Sequence, residues 1–316
     1  MTKRVAIVGA SGIGRHHARW WQVEGASICA FLGRSESSVA ATAVHLQEHL
    51  GVAVPGYTDM ARILREARPD IVDICSPPHL HAEHVALALE AGAEVLCEKP
   101  FVYDPTLSSK AMLEQARGLM AHAAELEQRL CICTQYAVGA PILRDFFLQA
   151  TGARKITSIH GQLAAPAKGR GPDPQRIWID LAPHLLSVVL ALYPDAERAP
   201  ERLAVKFDGY RAEAAFVLDT PEGAVPCRLE CANRTEPPNN IRRFTFNDQA
   251  IDVAGEQAAD GEFGMRLRCR EHSLVSEDMM RLLIRRFLAG EMPVAPEQSL
   301  QNLALMLEIL DCYRGS

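Results

Sequence analysis

Short apolar segments alternate with longer amphipathic segments along the first 136 residues of the chain. The apolar segments have the length of strands, and those between most of them are rich in Ala, Leu and Glu, which favours helices. The pattern predicts strands at 5–8, 28–32, 71–75, 94–97 and 130–134, and helices at 38–50, 58–67, 81–91 and 107–128. Strands that alternate with helices form βαβ units, so we expect an α/β fold with a doubly wound parallel sheet, a Rossmann fold.

The pattern changes after residue 136. A helix at 141–150 is followed by strand-like runs at 155–164, 202–208, 212–218, 224–232 and 242–246, and helices return at 180–193, 278–288 and 297–312. Strands that follow one another without helices between them imply a mostly antiparallel sheet. We therefore predict two domains: a Rossmann domain over 1–136 and an α+β domain with an open, mostly antiparallel sheet over 137–316.

Composition narrows the possible functions. The chain has 316 residues, 48% hydrophobic and 23% charged, which is ordinary for a globular protein. A net charge of −6 without a long basic stripe disfavours nucleic acid, and no apolar run reaches the length of a membrane span. The nine cysteines are an odd number and do not match a paired zinc framework. We expect a cytoplasmic protein with reduced thiols and no metal site, whose partner is a small molecule.

A glycine-rich turn joins the first predicted strand to the first helix. Residues 9–14 read Gly-Ala-Ser-Gly-Ile-Gly, with Ser11 in place of the usual middle glycine. A helix that begins at such a turn presents free N–H groups and the positive end of its dipole, which suits the pyrophosphate of a dinucleotide. The glycines alone fit an ordinary strand–turn–helix equally well.

The end of the second predicted strand supports the dinucleotide interpretation. A dinucleotide site normally has an acid here that holds the ribose hydroxyls. This chain has Arg34 and Ser35 instead. An arginine pairs with a 2′-phosphate, so the sequence favours NADP, with NAD the less favoured cofactor.

Two clusters of polar residues follow the third and fourth predicted strands. Ser76-Pro77 with His81 comes after one, and Glu98-Lys99-Pro100 ends the other. Ligands of open α/β sheets bind at the carboxyl ends of strands, where Lys99 could polarise a substrate oxygen. The alternative is a solvated strand end, since most lysines lie on surfaces.

A third candidate lies in the second predicted domain. Asp180 and His184 are four residues apart, which places them on one face of a helix. Pro183 suits a first helical turn, so we expect the helix to begin near Asp180 and its dipole to keep His184 neutral. A neutral imidazole beside an acid suits a general base. On spacing alone, a helix cap at Asp180 and a packed His184 are the favoured interpretation.

With these residues in view, the chain resembles the Gfo/Idh/MocA oxidoreductases, the family of glucose-fructose oxidoreductase and inositol dehydrogenase. The motifs that carry the resemblance are the turn at 9–14 with Arg15 and His17, Ser76-Pro77 with His81, Ala91-Gly92, Glu98-Lys99-Pro100, and Asp180-x3-His184. The resemblance implies a Rossmann domain joined to an α+β domain. It also implies hydride transfer between NAD or NADP and a carbinol carbon of a sugar or cyclitol.

By position, the resemblance implies roles for individual residues. The catalytic residues are Lys99, Asp180 and His184. The cofactor-binding residues are Gly9, Ser11, Gly12, Ile13, Arg34, Ser35, Ser76, Pro77, His81, Glu98 and Lys99. We expect Tyr136 and Trp178 to shape the substrate pocket with Lys99 and His184. Ser187, where relatives often have an aspartate, and Thr134-Gln135-Tyr136 depart from the family pattern and weaken the expectation of a sugar.

These observations predict an NADP-dependent oxidoreductase that interconverts a secondary alcohol and a ketone on a small polar, sugar-like or cyclitol-like substrate. An imine or conjugated-ketone reductase and a catalytically silent NADP-binding sensor or subunit are the alternatives. As in relatives, we expect a homo-oligomer, a dimer or a tetramer.

Overall fold

The computed structural model describes residues 2–199, 202–257 and 263–315. It divides into two compact units. The first unit comprises Met1–Cys133 and Met280–Leu300, and the second comprises Thr134–Met279 and Gln301–Ser316.

The first unit is built on a six-stranded parallel sheet. Its strands are β1 (Arg4–Val8), β2 (Ser27–Leu32), β3 (Gly56–Tyr57), β4 (Ile71–Ile74), β5 (Glu94–Glu98) and β6 (Leu130–Cys133), in the spatial order β3-β2-β1-β4-β5-β6. The helices between them are α1 (Gly14–Val23), α2 (Glu36–Leu50), α3 (Met60–Ala67), α4 (His81–Glu90) and α5 (Ser109–Glu125). The predicted Rossmann fold is confirmed.

The strand order reverses between β1 and β4. The segments after these strands therefore leave the sheet at its carboxyl edge beside a topological switch point, where ligands of open α/β sheets bind. All four residues of β4 are buried, as expected of a central parallel strand covered on both faces. One of them, Asp73, is charged and has no exposed surface.

The second unit contains a nine-stranded sheet. Its strands are β7 (Ile159–Pro166), β8 (Glu197–Arg198), β9 (Ala204–Asp208), β10 (Arg211–Thr220), β11 (Gly223–Arg234), β12 (Ile241–Phe246), β13 (Gln249–Gln257), β14 (Phe263–Cys269) and β15 (His272–Glu277). Only the β7–β11 pair is parallel among the described pairings. The predicted mostly antiparallel sheet is confirmed.

Helices α6 (Gln135–Thr151) and α7 (Pro174–Leu192) pack against each other, and α7 also packs against the strands of this sheet. Strand β10 turns into β11 with Thr220 paired to Gly223, which forms a tight hairpin between the predicted strand-like runs at 212–218 and 224–232. The strands β13, β14 and β15 were not predicted. In β15 five of the six residues are exposed, so its sequence lacks the alternation of a half-buried strand.

The chain ends with α8 (Met279–Leu288) and α9 (Pro296–Gly315). Residues Met280–Leu300 belong to the first unit, so the chain returns to that unit after the second one. The predicted division into 1–136 and 137–316 does not include this return. Within this unit the ring of Phe287 lies 6.3 Å from that of Trp21, and Arg281 and Arg285 each donate to Glu24 at 2.7 Å. An amphipathic sequence predicts a helix but does not say which sheet its apolar face will cover.

Candidate functional site

The turn after β1 depends on two of its three glycines. Gly9 has φ +91°, and a Cβ there would lie 2.6 Å from the carbonyl oxygen of Cys75. At Gly14 a Cβ would lie 2.5 Å from the carbonyl oxygen of Gly9, so this glycine allows α1 to pack closely against β1. Gly12 differs, because a Cβ there would meet nothing within 4 Å. The first two glycines therefore shape the turn, and Gly12 leaves open space above it.

That open space lies at the start of α1. Ser11, Gly12 and Ile13 are exposed, and Ile13 caps the helix without a side-chain hydrogen bond. An uncapped and exposed helix N-terminus offers backbone N–H donors and a positive dipole end to an anion. The pyrophosphate of a dinucleotide fits this turn, and the sequence-predicted residues Gly9, Ser11, Gly12 and Ile13 would hold it.

Arg34 and Ser35 lie where β2 leads into α2. Ser35 caps α2 through a reciprocal pair of bonds with Ser38, and a Cβ on Gly33 would lie 2.9 Å from Val39 Cγ2. These contacts fix the backbone beside Arg34, whose side chain is exposed. A guanidinium next to a helix N-terminus fits a phosphate monoester.

The loop after β4 is fastened to the loop after β5 by His81. One ring nitrogen of His81 lies 2.8 Å from the Ser76 carbonyl oxygen, and the other lies 3.0 Å from the Pro100 carbonyl oxygen. Burial lowers the pKa of His81, of which 1% is exposed. The side chain lies between the two loops and, when neutral, donates to one of these carbonyls. The cofactor-binding role of His81 stays a prediction.

The other predicted residues of these loops remain accessible. Pro77 is exposed, and Ser76 is half-buried with its hydroxyl 2.9 Å from Nδ1 of His84. At the end of β5, Glu98 Oε2 accepts a hydrogen bond of 3.1 Å from the backbone N–H of Lys99, and both side chains are half-buried. Cofactor-binding roles for these four residues stay predictions.

Sequence reasoning missed a buried cluster beneath Glu98. His17 lies between Asp73 and Glu98, and the sequence identified it only as part of a family motif. The available signal was Asp73 itself, an acid inside an otherwise apolar strand, since buried carboxylates need a partner.

In the second unit, the helix that carries Asp180 and His184 begins earlier than predicted. Asp173 caps α7 by accepting a hydrogen bond of 2.9 Å from the backbone N–H of Arg176. Pro183 therefore lies inside the helix, and His184 lies in its third turn. The predicted start near Asp180 and the dipole argument for His184 are wrong, because the effect of the helix terminus is confined to the first turn.

The interior proline has a partner that the sequence did not reveal. Asn302 of α9, 5% exposed, donates a hydrogen bond of 2.8 Å from its amide to the Pro183 carbonyl oxygen. A proline disturbs the bonding of the turn around it, and this amide adds a bond there. It stabilises α7 one residue before His184.

His184 is half-buried beside Tyr136, with the two ring centroids 5.3 Å apart and in edge contact. Tyr136 also contacts the ring of Phe244, and its burial raises the pKa of its phenol. Asp180 is exposed on the same face of α7 as His184. The structure thus places Tyr136 next to His184, and their proposed functions stay predictions.

Two other residues of α7 lie in the core. Trp178 has no exposed surface, its ring packs on Phe207, and its indole N–H donates to the Met306 carbonyl oxygen at 3.1 Å. Its side chain therefore offers no exposed surface in this structure, and its role in shaping a substrate pocket stays a prediction. Ser187 is 4% exposed and donates its hydroxyl to the His184 carbonyl oxygen at 2.7 Å, so it offers no group to a ligand.

With the geometry described, comparison with known proteins becomes informative. Residues 3–133 match the model of the Gfo/Idh/MocA oxidoreductase family, which describes an NAD-binding Rossmann fold. The family resemblance is confirmed. A D-glucoside 3-dehydrogenase of Escherichia coli K12 is 29% identical over 199 residues, which are 59% of this chain and 53% of that protein. A D-apiose dehydrogenase of Paraburkholderia graminis is 34% identical over 270 residues, which are 80% of this chain and 65% of that protein.

The fold has solved counterparts. A UDP-N-acetylglucosamine 3-dehydrogenase from Acidithiobacillus ferrooxidans has a TM-score of 0.72, with 98% of this chain and 97% of that chain covered at 20% identity. At that identity the likeness concerns the fold alone. The chain spans about half the length of the D-glucoside 3-dehydrogenase it matches.

One helix among the described residues, α7, is long and apolar enough to cross a membrane by length and composition. In its most apolar window, 56% of the residues are buried inside the protein. A core helix passes the same test, so this is weak evidence for a membrane span.

Proposed function

We propose that the protein is an NADP-dependent dehydrogenase that moves hydride between nicotinamide C4 and a carbinol or carbonyl carbon of a small polyol. The observation that carries this proposal is that the turn expected to bind the pyrophosphate and the candidate catalytic lysine lie at the same edge of one sheet. The exposed start of α1 and Lys99 both follow carboxyl ends of parallel strands, β1 and β5, which are separated only by β4. The names of the two curated relatives, dehydrogenases of a D-glucoside and of D-apiose, support a polyhydroxylated substrate.

In the proposed reaction, the nicotinamide supplies the hydride acceptor for alcohol oxidation and the donor for ketone reduction. His184 accepts the hydroxyl proton as general base when the alcohol is oxidised. Lys99 stabilises the negative charge that develops on the substrate oxygen. Asp180 orients the imidazole, and Tyr136, in edge contact with His184, limits the ring's movement.

The test is a dehydrogenase assay on a panel of aldoses, glycosides, inositols and nucleotide sugars, followed by absorbance of the reduced nicotinamide. Lys99→Ala and His184→Ala should lower turnover by about 10²–10⁴-fold, the usual contribution of a general acid or base, and His184→Ala should also bind NADPH normally. Lys110→Ala and His122→Ala in α5 are the lysine and histidine controls, because 85% and 39% of their side-chain surfaces are exposed. Unchanged turnover in both active-site variants would reject the proposed mechanism.

The preference for NADP is a separate proposal that rests on Arg34. We expect NADPH to bind more tightly than NADH by about 10- to 100-fold, the range of a charge-assisted hydrogen bond. Arg34→Asp should remove or reverse the difference, whereas the control Arg65→Asp, on the exposed surface of α3, should not. Equal affinities in the unaltered protein would refute the preference.

A second candidate, reduction of an imine or a conjugated ketone, gains support from Ser187. This side chain is buried and bonded within its own helix, so it cannot hold a sugar hydroxyl. Turnover of cyclic imines or enones with NADPH, and none of any polyol in the panel, would favour this reaction.

A further inference from the structure

A carboxylate lies in the middle of the first unit's sheet. Asp73 of β4 has no exposed surface, and its neighbours in the strand are apolar. Its Oδ2 accepts hydrogen bonds from Trp21 Nε1 at 2.6 Å and from His17 Nδ1 at 2.9 Å. A buried carboxylate is strongly unfavourable without such partners. Two residues of α1 therefore hold Asp73 in the core.

His17 contacts a second carboxylate through its other ring nitrogen. Nε2 of His17 lies 3.2 Å from Glu98 Oε1, and 1% of the imidazole is exposed. A neutral imidazole has one N–H and can donate to one of these acceptors, whereas an imidazolium donates to both. Burial lowers the pKa of His17, but the charge and hydrogen bond of Asp73, together with the contributions of Cys75 and Cys133, outweigh burial and raise the pKa well above the usual value.

Glu98 is held at both of its oxygens. Oε1 faces His17, and Oε2 accepts the backbone N–H of Lys99 at 3.1 Å. Its side chain is 12% exposed, so it is the one carboxylate of this cluster that reaches the surface at the sheet edge. The cluster thus runs from the core, through His17, to the residue before Lys99.

The same cluster contains atoms that metals prefer, since donor atoms of His17 lie close to those of Cys75 and Cys133 as well as the two carboxylates. Metals bind the thiolate form of cysteine. Burial raises the pKa of both thiols far above its ordinary value, which keeps them protonated. The donor set favours a proton on each nitrogen of His17 over a metal ion.

We propose that His17 is a positioning residue of the cofactor site: anchored by Asp73 in the core, its imidazolium holds Glu98 as an oriented carboxylate at the carboxyl end of β5. This inference rests on the proposed function, because it assigns Glu98 to the same dinucleotide site as Lys99. A fixed Glu98 also fixes the backbone N–H of Lys99, so the cluster sets the starting point of the lysine side chain.

The first test reads the protonation state of His17 directly. Nitrogen NMR of the full chain with labelled histidine at pH 8 should show one imidazolium among otherwise neutral rings. Glu98→Gln or Asp73→Asn should convert that signal to a neutral ring. A neutral His17 in the unaltered protein would overturn the proposal, as would one equivalent of tightly bound zinc, because a metal on either nitrogen excludes the imidazolium.

The second test measures NADPH affinity in a double-mutant cycle. His17→Gln should weaken binding by about tenfold, the loss expected for one charge-assisted hydrogen bond, and adding Glu98→Gln should weaken it little further. Trp21→Phe separates structure from positioning: it removes the other bond to Asp73, so it should lower the melting temperature and leave NADPH affinity unchanged. His122→Gln in α5 is the matched histidine control and should change neither quantity.

The two proposals fail in different ways. An unaltered protein that binds no dinucleotide would refute the proposed function. Normal binding in the unaltered protein together with the same affinity in His17→Gln would refute only the role of His17. If His17→Gln does not fold, the NMR signal in Glu98→Gln and the NADPH affinity of that variant decide the question.

Discussion

Replacing either of two glycines in the turn after β1 by alanine should change a different property of the protein. The change at Gly14 should lower stability, and the change at Gly12 should weaken NADPH binding. At Gly14 the new Cβ would lie 2.5 Å from the Gly9 carbonyl oxygen and 3.1 Å from Ile7 Cγ2. At Gly12 it would meet nothing within 4 Å. Neither glycine has a positive φ, so the added methyl group is the whole perturbation.

The loss of stability expected for Gly14→Ala follows from the rigidity of the neighbouring Gly9 backbone. The contact must open by at least half an ångström before it reaches the range of real Cβ contacts, and the Gly9 backbone is tied to β2 by a hydrogen bond of 3.0 Å to Leu32. Overpacking of this kind costs about 1–3 kcal/mol. At about 2–4 °C per kcal/mol, Gly14→Ala should lower the melting temperature by about 2–12 °C.

Gly12→Ala should leave the fold intact, and alanine at a compatible φ stabilises by about 0.4–1 kcal/mol through the unfolded chain. The methyl group would instead occupy the space where a pyrophosphate approaches the start of α1. We expect NADPH affinity to fall by about tenfold or more, the loss of one backbone N–H to phosphate bond. Thermal unfolding and NADPH titration by tryptophan fluorescence measure the two effects.

The control is Gly118→Ala in α5, where a Cβ also meets nothing within 4 Å; it should leave NADPH affinity unchanged and should not lower the melting temperature. A Gly14→Ala protein that melts like the unaltered one would show that the steric reasoning about the turn is incorrect. If Gly12→Ala binds NADPH with unchanged affinity, the proposed binding of the pyrophosphate at the start of α1 is incorrect.

Three further outcomes are expected. Trp178→Phe should destabilise by about 0.5–1.5 kcal/mol in urea unfolding, because the indole N–H bond to the Met306 carbonyl is lost, and it should leave KM unchanged because Trp178 has no exposed surface. A raised KM would instead support the predicted role of Trp178 in the pocket. Asn302→Leu should destabilise by a similar ~0.5–1.5 kcal/mol through loss of the bond to the Pro183 carbonyl, and an unchanged unfolding midpoint would contradict this. Burial raises the pKa of Glu24, but hydrogen bonds from two arginines of α8 outweigh this and lower it below 4.5. The contribution of Glu24 to stability is therefore present above pH 4.5 and is lost as the pH falls through the lowered pKa. Glu24→Gln should be less stable than the unaltered protein at pH 7 and should approach its stability in acid. The exposed control Glu48→Gln should match the unaltered protein at pH 7 and in acid.

β3 consists only of Gly56–Tyr57 and was missed, but the other five strands of the parallel sheet could be predicted, because each is an apolar run between turn residues. The last strands of the second unit could not. β15 is mostly exposed along its length, so no alternation distinguishes it from a loop. Hydrogen bonds to β14, with Leu267 opposite Leu274, define it as a strand, and such pairing is invisible in a single sequence.

At the candidate site, too, contacts between distant parts of the chain could not be predicted from the sequence. Residue types and spacing identified Lys99, Asp180 and His184 as candidates, but the inference from Pro183 placed the helix start about six residues too late. Proline inside a helix is costly, and the rule that it marks a first turn fails where tertiary contacts compensate. Here α7 is a buried core helix and Asn302 bonds the Pro183 carbonyl, a contact between residues 119 positions apart.

Two buried histidines at one sheet edge illustrate how partners decide charge. His81 and His17 are each 1% exposed, and each has an oxygen within 3.2 Å of both ring nitrogens. The partners of His81 are neutral carbonyls, and burial lowers its pKa. The partners of His17 are two carboxylates, and the charge and hydrogen bond of Asp73, with the contributions of Cys75 and Cys133, outweigh burial and raise its pKa. A neutral His81 donates to only one of its two carbonyls, whereas a protonated His17 donates to Asp73 and Glu98 at once. His17 and not His81 is therefore the histidine on which the electrostatics of this edge depend.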